Sequence, residues 1–232
     1  MRPVKKWETG SLHGESVVVK EEYKPSRTAQ PVLVANLGMY CSYCEKSMHE
    51  EPDLEVEHIE PSSKASITEL VTQWDNFLLA CPTCNKHKGN KTVILNDIHL
   101  PHRNNTYKSI VYNEAGGILP NKNMSSLSIQ HADNLIKLLS LDNRSKTDMR
   151  RRTWQLAVDA LKDYEGGKTT LDLLLQFIEQ RGGWSIWFTV FKGHDEVRRR
   201  LIEYFPGTEA NCFDSNNHYE PVDRNPGKED PV

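Results

Sequence analysis

Two Cys-x-x-Cys pairs, Cys41/Cys44 and Cys81/Cys84, restrict what this 232-residue chain can fold into more than any other feature. Each knuckle turn aims two thiolates at one point, and four thiolates complete a closed tetrahedral shell around zinc. Such a shell has no open position for a substrate, so a structural Zn2+ is expected, and the two turns must meet in space. Disulfide scaffolds belong mostly to short secreted chains, and the segment MRPVKKWETG has no apolar stretch of the kind a signal peptide carries. No apolar run approaches the ~18 residues of a membrane helix. Reduced cysteines, a cytoplasmic location and no membrane partner are the expectation. The fifth cysteine, Cys212, stands apart and reads as an inert thiol.

The surrounding pattern predicts an α+β chain that is mainly helical. Residues 16–23 (SVVVKEEY) suit a short strand, and 27–38 suit a helix with Pro31 in its first turn, where a missing N–H costs nothing. LEVEHI (54–59) is β-compatible, WDNFLLAC (74–81) reads as a turn followed by a strand, and PTCNKHKGNK opens a short helix at Pro82. Turn residues dominate 93–128. Beyond that, apolar residues recur at helical spacing: Leu135, Leu138 and Leu139; Thr153, Ala157, Leu161 and Tyr164; Leu171, Leu174, Leu175 and Ile178. The aromatic run 183–191 is a buried helix or a strand, and 195–205 a last amphipathic helix. Trp154, Trp184 and Trp187 read as core, and His99 and His102 as loop histidines. The expected divisions are an N-terminal segment 1–36, a knuckle-bearing domain 37–128, a helical domain 129–213, and a polar, flexible tail 214–232.

Between and just beyond the knuckles lie Glu57-His58-Ile59-Glu60-Pro61, Trp74-Asp75-Asn76 and Asn85-Lys86-His87-Lys88-Gly89. Together with LGMYCSYCE (37–45), their order resembles the four-cysteine HNH endonucleases over about residues 37–91. That resemblance implies a small ββα-metal core: two strands and a helix around a catalytic metal. Chemistry agrees with it. Phosphodiester hydrolysis needs an activated water and relief of charge on the phosphoryl oxygens. A neutral histidine is a good base near pH 7, and Glu and Asn oxygens suit a hard divalent ion.

The resemblance implies His58 as general base, Glu57 and Asn85 as ligands of a catalytic Mg2+ or Mn2+, and Asn76 as the residue that ties the loop and holds the base. Lys88, one helical turn from Asn85, is expected to face the site and meet a phosphate. Strict strand alternation would place Glu57 and His58 on opposite faces, so the strand end is expected to twist for both to converge. His87, two positions from Asn85, points away from it.

The net charge of −3 speaks against a chain that binds nucleic acid by overall charge, but basic runs occur at 85–91, 144–152 and 198–200. The region 183–214 is similar to PtuB-like HNH nucleases of Septu-type or retron-associated anti-phage defence systems. This likeness implies an ABC/SMC-type partner ATPase docked on the helical region, with the arginines of 198–200 at the rim of the interface. The substrate expected is DNA. The alternatives are RNA, notably tRNA, and a zinc-stabilised nucleic-acid-binding module without catalysis.

Overall fold

The computed structural model describes residues 1–7, 9–12, 15–49, 54–61 and 68–232. Its centre is a hairpin and a helix. Strand β3 (Glu55–His58) pairs antiparallel with β4 (Phe77–Ala80), with Glu57 opposite Leu78 and His58 opposite Phe77. All four β4 residues are buried, since one face meets the core and the other the following helix. Pro82 starts helix α2 (Pro82–Lys88), and Gly89, at φ +52°, ends it in a conformation that glycine adopts without strain. Before the hairpin, β1 (Thr9–Leu12) pairs with β2 (Glu15–Val18). Helix α1 (Gln30–Leu37) carries Pro31 in its first turn, as expected.

The segment 93–128 is more ordered than its turn residues suggested. A short helix α3 (Thr106–Ser109) leads into a hairpin of β5 (Ile110–Tyr112) and β6 (Ile118–Pro120). Each strand has only three residues, too few to show alternation. The turn requires Gly116: at φ +81°, an added Cβ would lie 2.2 Å from the Thr147 carbonyl oxygen.

Helices α4 (Ser126–Leu138), α5 (Arg144–Glu165) and α6 (Leu171–Arg181) each begin at a residue whose side chain caps a free N–H, namely Ser125, Asn143 and Thr170. The aromatic run resolves as helix α7 (Trp184–Val190), followed by α8 (Asp195–Tyr204). Trp184 and Trp187 are core residues, Trp154 packs partly buried beside them, and Cys212 is buried with its thiol pushed up to about 12 by desolvation.

The buried side chains fall into two clusters. One core joins α1, the β3–β4 hairpin, the cysteines and α4 through Ala132, Leu135 and Ile136. The other joins α5 to α8 with Tyr40 and Phe213. Helix α4 therefore packs with the first core, not with the helical region. The 214–232 tail is also no loose end. Strands β7 (Phe213–Asp214) and β8 (Glu220–Pro221) pair, Arg224 donates to the carbonyls of Pro101 and Val4, and Val232 is fully buried. Polar composition hid this anchoring because hydrogen bonds, not apolar area, provide most of it.

Candidate active site and cysteine cluster

The four cysteines converge. Cys41 and Cys44 lie on the turn after α1, Cys81 caps α2 and Cys84 sits in its first turn. The Ser42 N–H donates to the Leu79 carbonyl, which fastens the knuckle to β4. The four sulfurs lie within 4.8 Å of one another, and Cys44 Sγ is 3.7 Å from Cys81 Sγ. A tetrahedron of sulfurs around zinc has edges of ~3.8 Å, so the cluster is compatible with a zinc site. Hydrogen bonds among the thiols favour the thiolate at Cys81 and push Cys44 and Cys84 up.

Two residues of the same turn reach elsewhere. Tyr43 Oη donates to Glu57 Oε1 at 3.2 Å. Glu45 is buried and accepts from the Arg2 N–H at 2.5 Å and from the Ser185 N–H and Oγ at 2.9 and 2.6 Å, which ties the knuckle to α7. Sequence reading missed both. The signal available was an aromatic and an acid within and beside a cysteine turn, which is too common to single out.

Strand alternation holds through His58. Glu55 and Glu57 face α2, whereas the His58 ring packs edge-on against Phe77, with centroids 5.1 Å apart. His58 Nε2 lies 2.9 Å from the Val71 carbonyl oxygen. A carbonyl only accepts, so Nε2 carries the proton and Nδ1 keeps a bare lone pair.

Asn76 holds this arrangement. Its Oδ1 accepts from the Glu60 N–H at 2.8 Å, and its Nδ2 donates to the carbonyls of Glu60 and Leu70 at 3.0 and 2.9 Å. The chain just after His58 is thereby tied to the turn that presents Val71.

The acidic side differs from the expected pairing of Glu57 with Asn85. Asn85 Nδ2 donates to Glu55 Oε2 at 2.5 Å, and Glu55 is exposed. Glu57 is 1% exposed, and Lys88 Nζ lies 3.0 Å from each of its oxygens. Lys88 also donates to the His58 carbonyl. Burial pushes the Glu57 carboxyl up to about 7 against the opposing pull of Lys88 and Tyr43. Lys88, expected to face the site and meet a phosphate, is 2% exposed and engaged by the Glu57 carboxyl. His87 turns away, with Nε2 3.4 Å from Asn143 Nδ2.

The basic runs are committed to the fold in part, while Lys86, Lys91, Arg144, Arg151 and Arg152 stay exposed. Lys146 and Arg150 are buried on backbone carbonyls. Arg198 is buried against the Phe188 ring and Glu220, so it cannot rim an interface, while Arg199 and Arg200 pair with Glu203 and Asp172.

A family model described as HNH endonuclease matches residues 41–91. The match runs from the first cysteine to just past α2, the stretch that holds the hairpin, the helix and both knuckles. Residues 41–91 thus form an HNH endonuclease domain, a class of nuclease, within a mixed α+β chain. No curated protein matches the chain. No helix among the described residues is long and apolar enough to cross a membrane.

Two outcomes follow from this geometry. Cys84→Ser should reduce bound zinc, read by elemental analysis, and lower the melting temperature, because metal binding contributes folding free energy. Well above pH 7, where the Glu57 carboxyl is ionised, Lys88→Met should destabilise the protein by about 3–5 kcal/mol in urea unfolding, since it strands a buried carboxylate, and by less below pH 7, where that carboxyl takes up a proton. Adding Glu57→Gln to that variant should recover part of the loss, and no recovery would show that the two groups do not act as a pair.

Proposed function

We propose that the chain is a metal-dependent endonuclease that hydrolyses DNA, with His58 as the general base. The observation that carries this reading is the His58–Val71 contact inside the matched HNH segment. The contact leaves the neutral ring with one nitrogen free of its proton, which a base needs. His58 Nδ1 takes a proton from the attacking water, and the imidazolium that forms is stabilised by its Nε2–H bond to the Val71 carbonyl. Asn76 is a positioning residue: it holds the two segments that carry base and carbonyl.

The oxygen donors between β3 and α2 fit a hard divalent ion such as Mg2+ or Mn2+. Asn85 would hold it through its side-chain oxygen and Glu55 through its exposed carboxylate. Glu57 joins only by releasing Lys88. When bound, such an ion supplies charge relief on the phosphoryl and leaving oxygens; because these donors and the His58 ring stand on opposite faces of β3, the strand end must twist for both to meet one phosphate.

His58→Ala should lower plasmid nicking by roughly 10²- to 10⁴-fold with unchanged zinc content and melting temperature. Wild-type nicking by that variant would remove His58 from the mechanism. Running tRNA beside plasmid and single-stranded DNA distinguishes the substrates, and cleavage of tRNA alone would replace DNA with RNA.

The likeness of 183–214 to nucleases of anti-phage defence supports a further part of the reading, docking on a partner ATPase of ABC/SMC type. Leu173 and Phe177, one turn apart on α6, are 58% and 45% exposed, an apolar pair suited to the centre of such an interface. Leu173→Glu combined with Phe177→Glu should abolish co-purification with an ATPase encoded beside this chain while leaving nicking intact. Equal recovery with both proteins would move the interface elsewhere.

A further inference from the structure

A second set of metal-ligating side chains converges away from the cysteines. His99 lies in the loop before Pro101, His131 on α4, and Asp230 near the end of the chain. His99 Nε2 is 2.8 Å and His131 Nδ1 2.5 Å from the same atom, Asp230 Oδ2. The two imidazole planes stand at 87°, so the nitrogens approach from different directions. His99 is 1% and His131 7% exposed. The other carboxylate oxygen, Oδ1, accepts from Ser128 Oγ at 2.8 Å, and Ser128 is itself within 2.9 Å of Ser125 Oγ. That hydroxyl pair fixes the carboxylate's orientation, as the outer partners of a ligating carboxylate do.

We infer that His99, His131 and Asp230 form a second metal site, which takes a zinc-class divalent ion and fastens the end of the chain to α4. Two imidazoles and one carboxylate favour zinc, cobalt or nickel over magnesium or calcium. Three protein ligands leave a fourth position, and beside the cluster lies a cavity of about 580 Å³, lined also by His102, Arg103 and Arg224, from which solvent completes the shell. The present N···O separations are those of hydrogen bonds. Ligand edges around zinc are ~3.4 Å, so binding asks the three atoms to spread by less than an ångström through side-chain torsions.

The competing reading is a latch in which one carboxylate oxygen accepts two imidazole N–H groups. Both readings leave His99 Nδ1 buried without a partner, so that atom does not choose between them. Metal content does. The full chain, loaded with excess Zn2+ and desalted, should hold one more zinc per chain than His131→Ala or Asp230→Asn. Asp230→Asn keeps an acceptor for Ser128, so it tests ligation without stripping the segment from α4.

Cobalt substitution separates the sites. Thiolate-to-cobalt charge-transfer absorption from the four cysteines should be equal in all three proteins, while the weaker ligand-field bands diminish in the variants. A wild type with the same metal count as both variants overturns the inference and leaves the latch. Loss of the charge-transfer band together with the extra zinc also overturns it, because the count would then report the cysteine cluster.

Discussion

Four thiols held within 4.8 Å of one another offer a ready set of ligands to a cation, and much of the chain meets at that cluster. The turn that carries Cys41 and Cys44 also carries Tyr43 and Glu45. Tyr43 reaches the buried carboxylate under β3, and Glu45 reaches α7 and the backbone of Arg2. Five consecutive residues therefore touch the HNH hairpin, the helical half and the N-terminal segment. Gly182 shows how close that meeting is: an added Cβ would lie 2.5 Å from the Glu45 carbonyl oxygen. Loss of the cluster would loosen all three regions at once, because this one turn touches each of them.

Strand β3 then separates two kinds of chemistry. The face toward α2 holds the ionised groups, with Lys88 sealed against Glu57 and Asn85 against the exposed Glu55. The other face holds an imidazole whose partners are a phenylalanine ring and a carbonyl, none of them charged. The buried pair stabilises the strand end by satisfying the His58 carbonyl from beneath.

Much of this was legible in the residues. Cys-x-x-Cys spacing announced the cluster, Pro82 and Gly89 marked the ends of α2, and periodic leucines marked α4 and α6. Alternation correctly placed Glu57 and His58 on opposite faces. Side-chain destinations were not legible. Lys88 at helical spacing from Asn85 was expected to meet a phosphate, but the Glu57 carboxyl facing α2 from β3 draws it inward. Arg198 sits in a run of three arginines, and only folding shows which of them turns to the core. The 214–232 segment reads as mobile because its anchors are asparagines, an arginine and backbone carbonyls, whose partners are distant in sequence.

The partner that sets the tautomer of His58 belongs to the backbone. A side-chain partner can be exchanged by a single substitution, and with it the proton it holds. A main-chain carbonyl at Val71 is present whatever residue stands there, so the turn can drift in composition and the base keeps its protonation pattern. What that turn cannot tolerate is a change in length, since one inserted or deleted residue would carry the carbonyl out of reach. Inheritance of the base is in this sense written in spacing and not in identity, and Asn76, which measures that spacing with three hydrogen bonds, is the gauge.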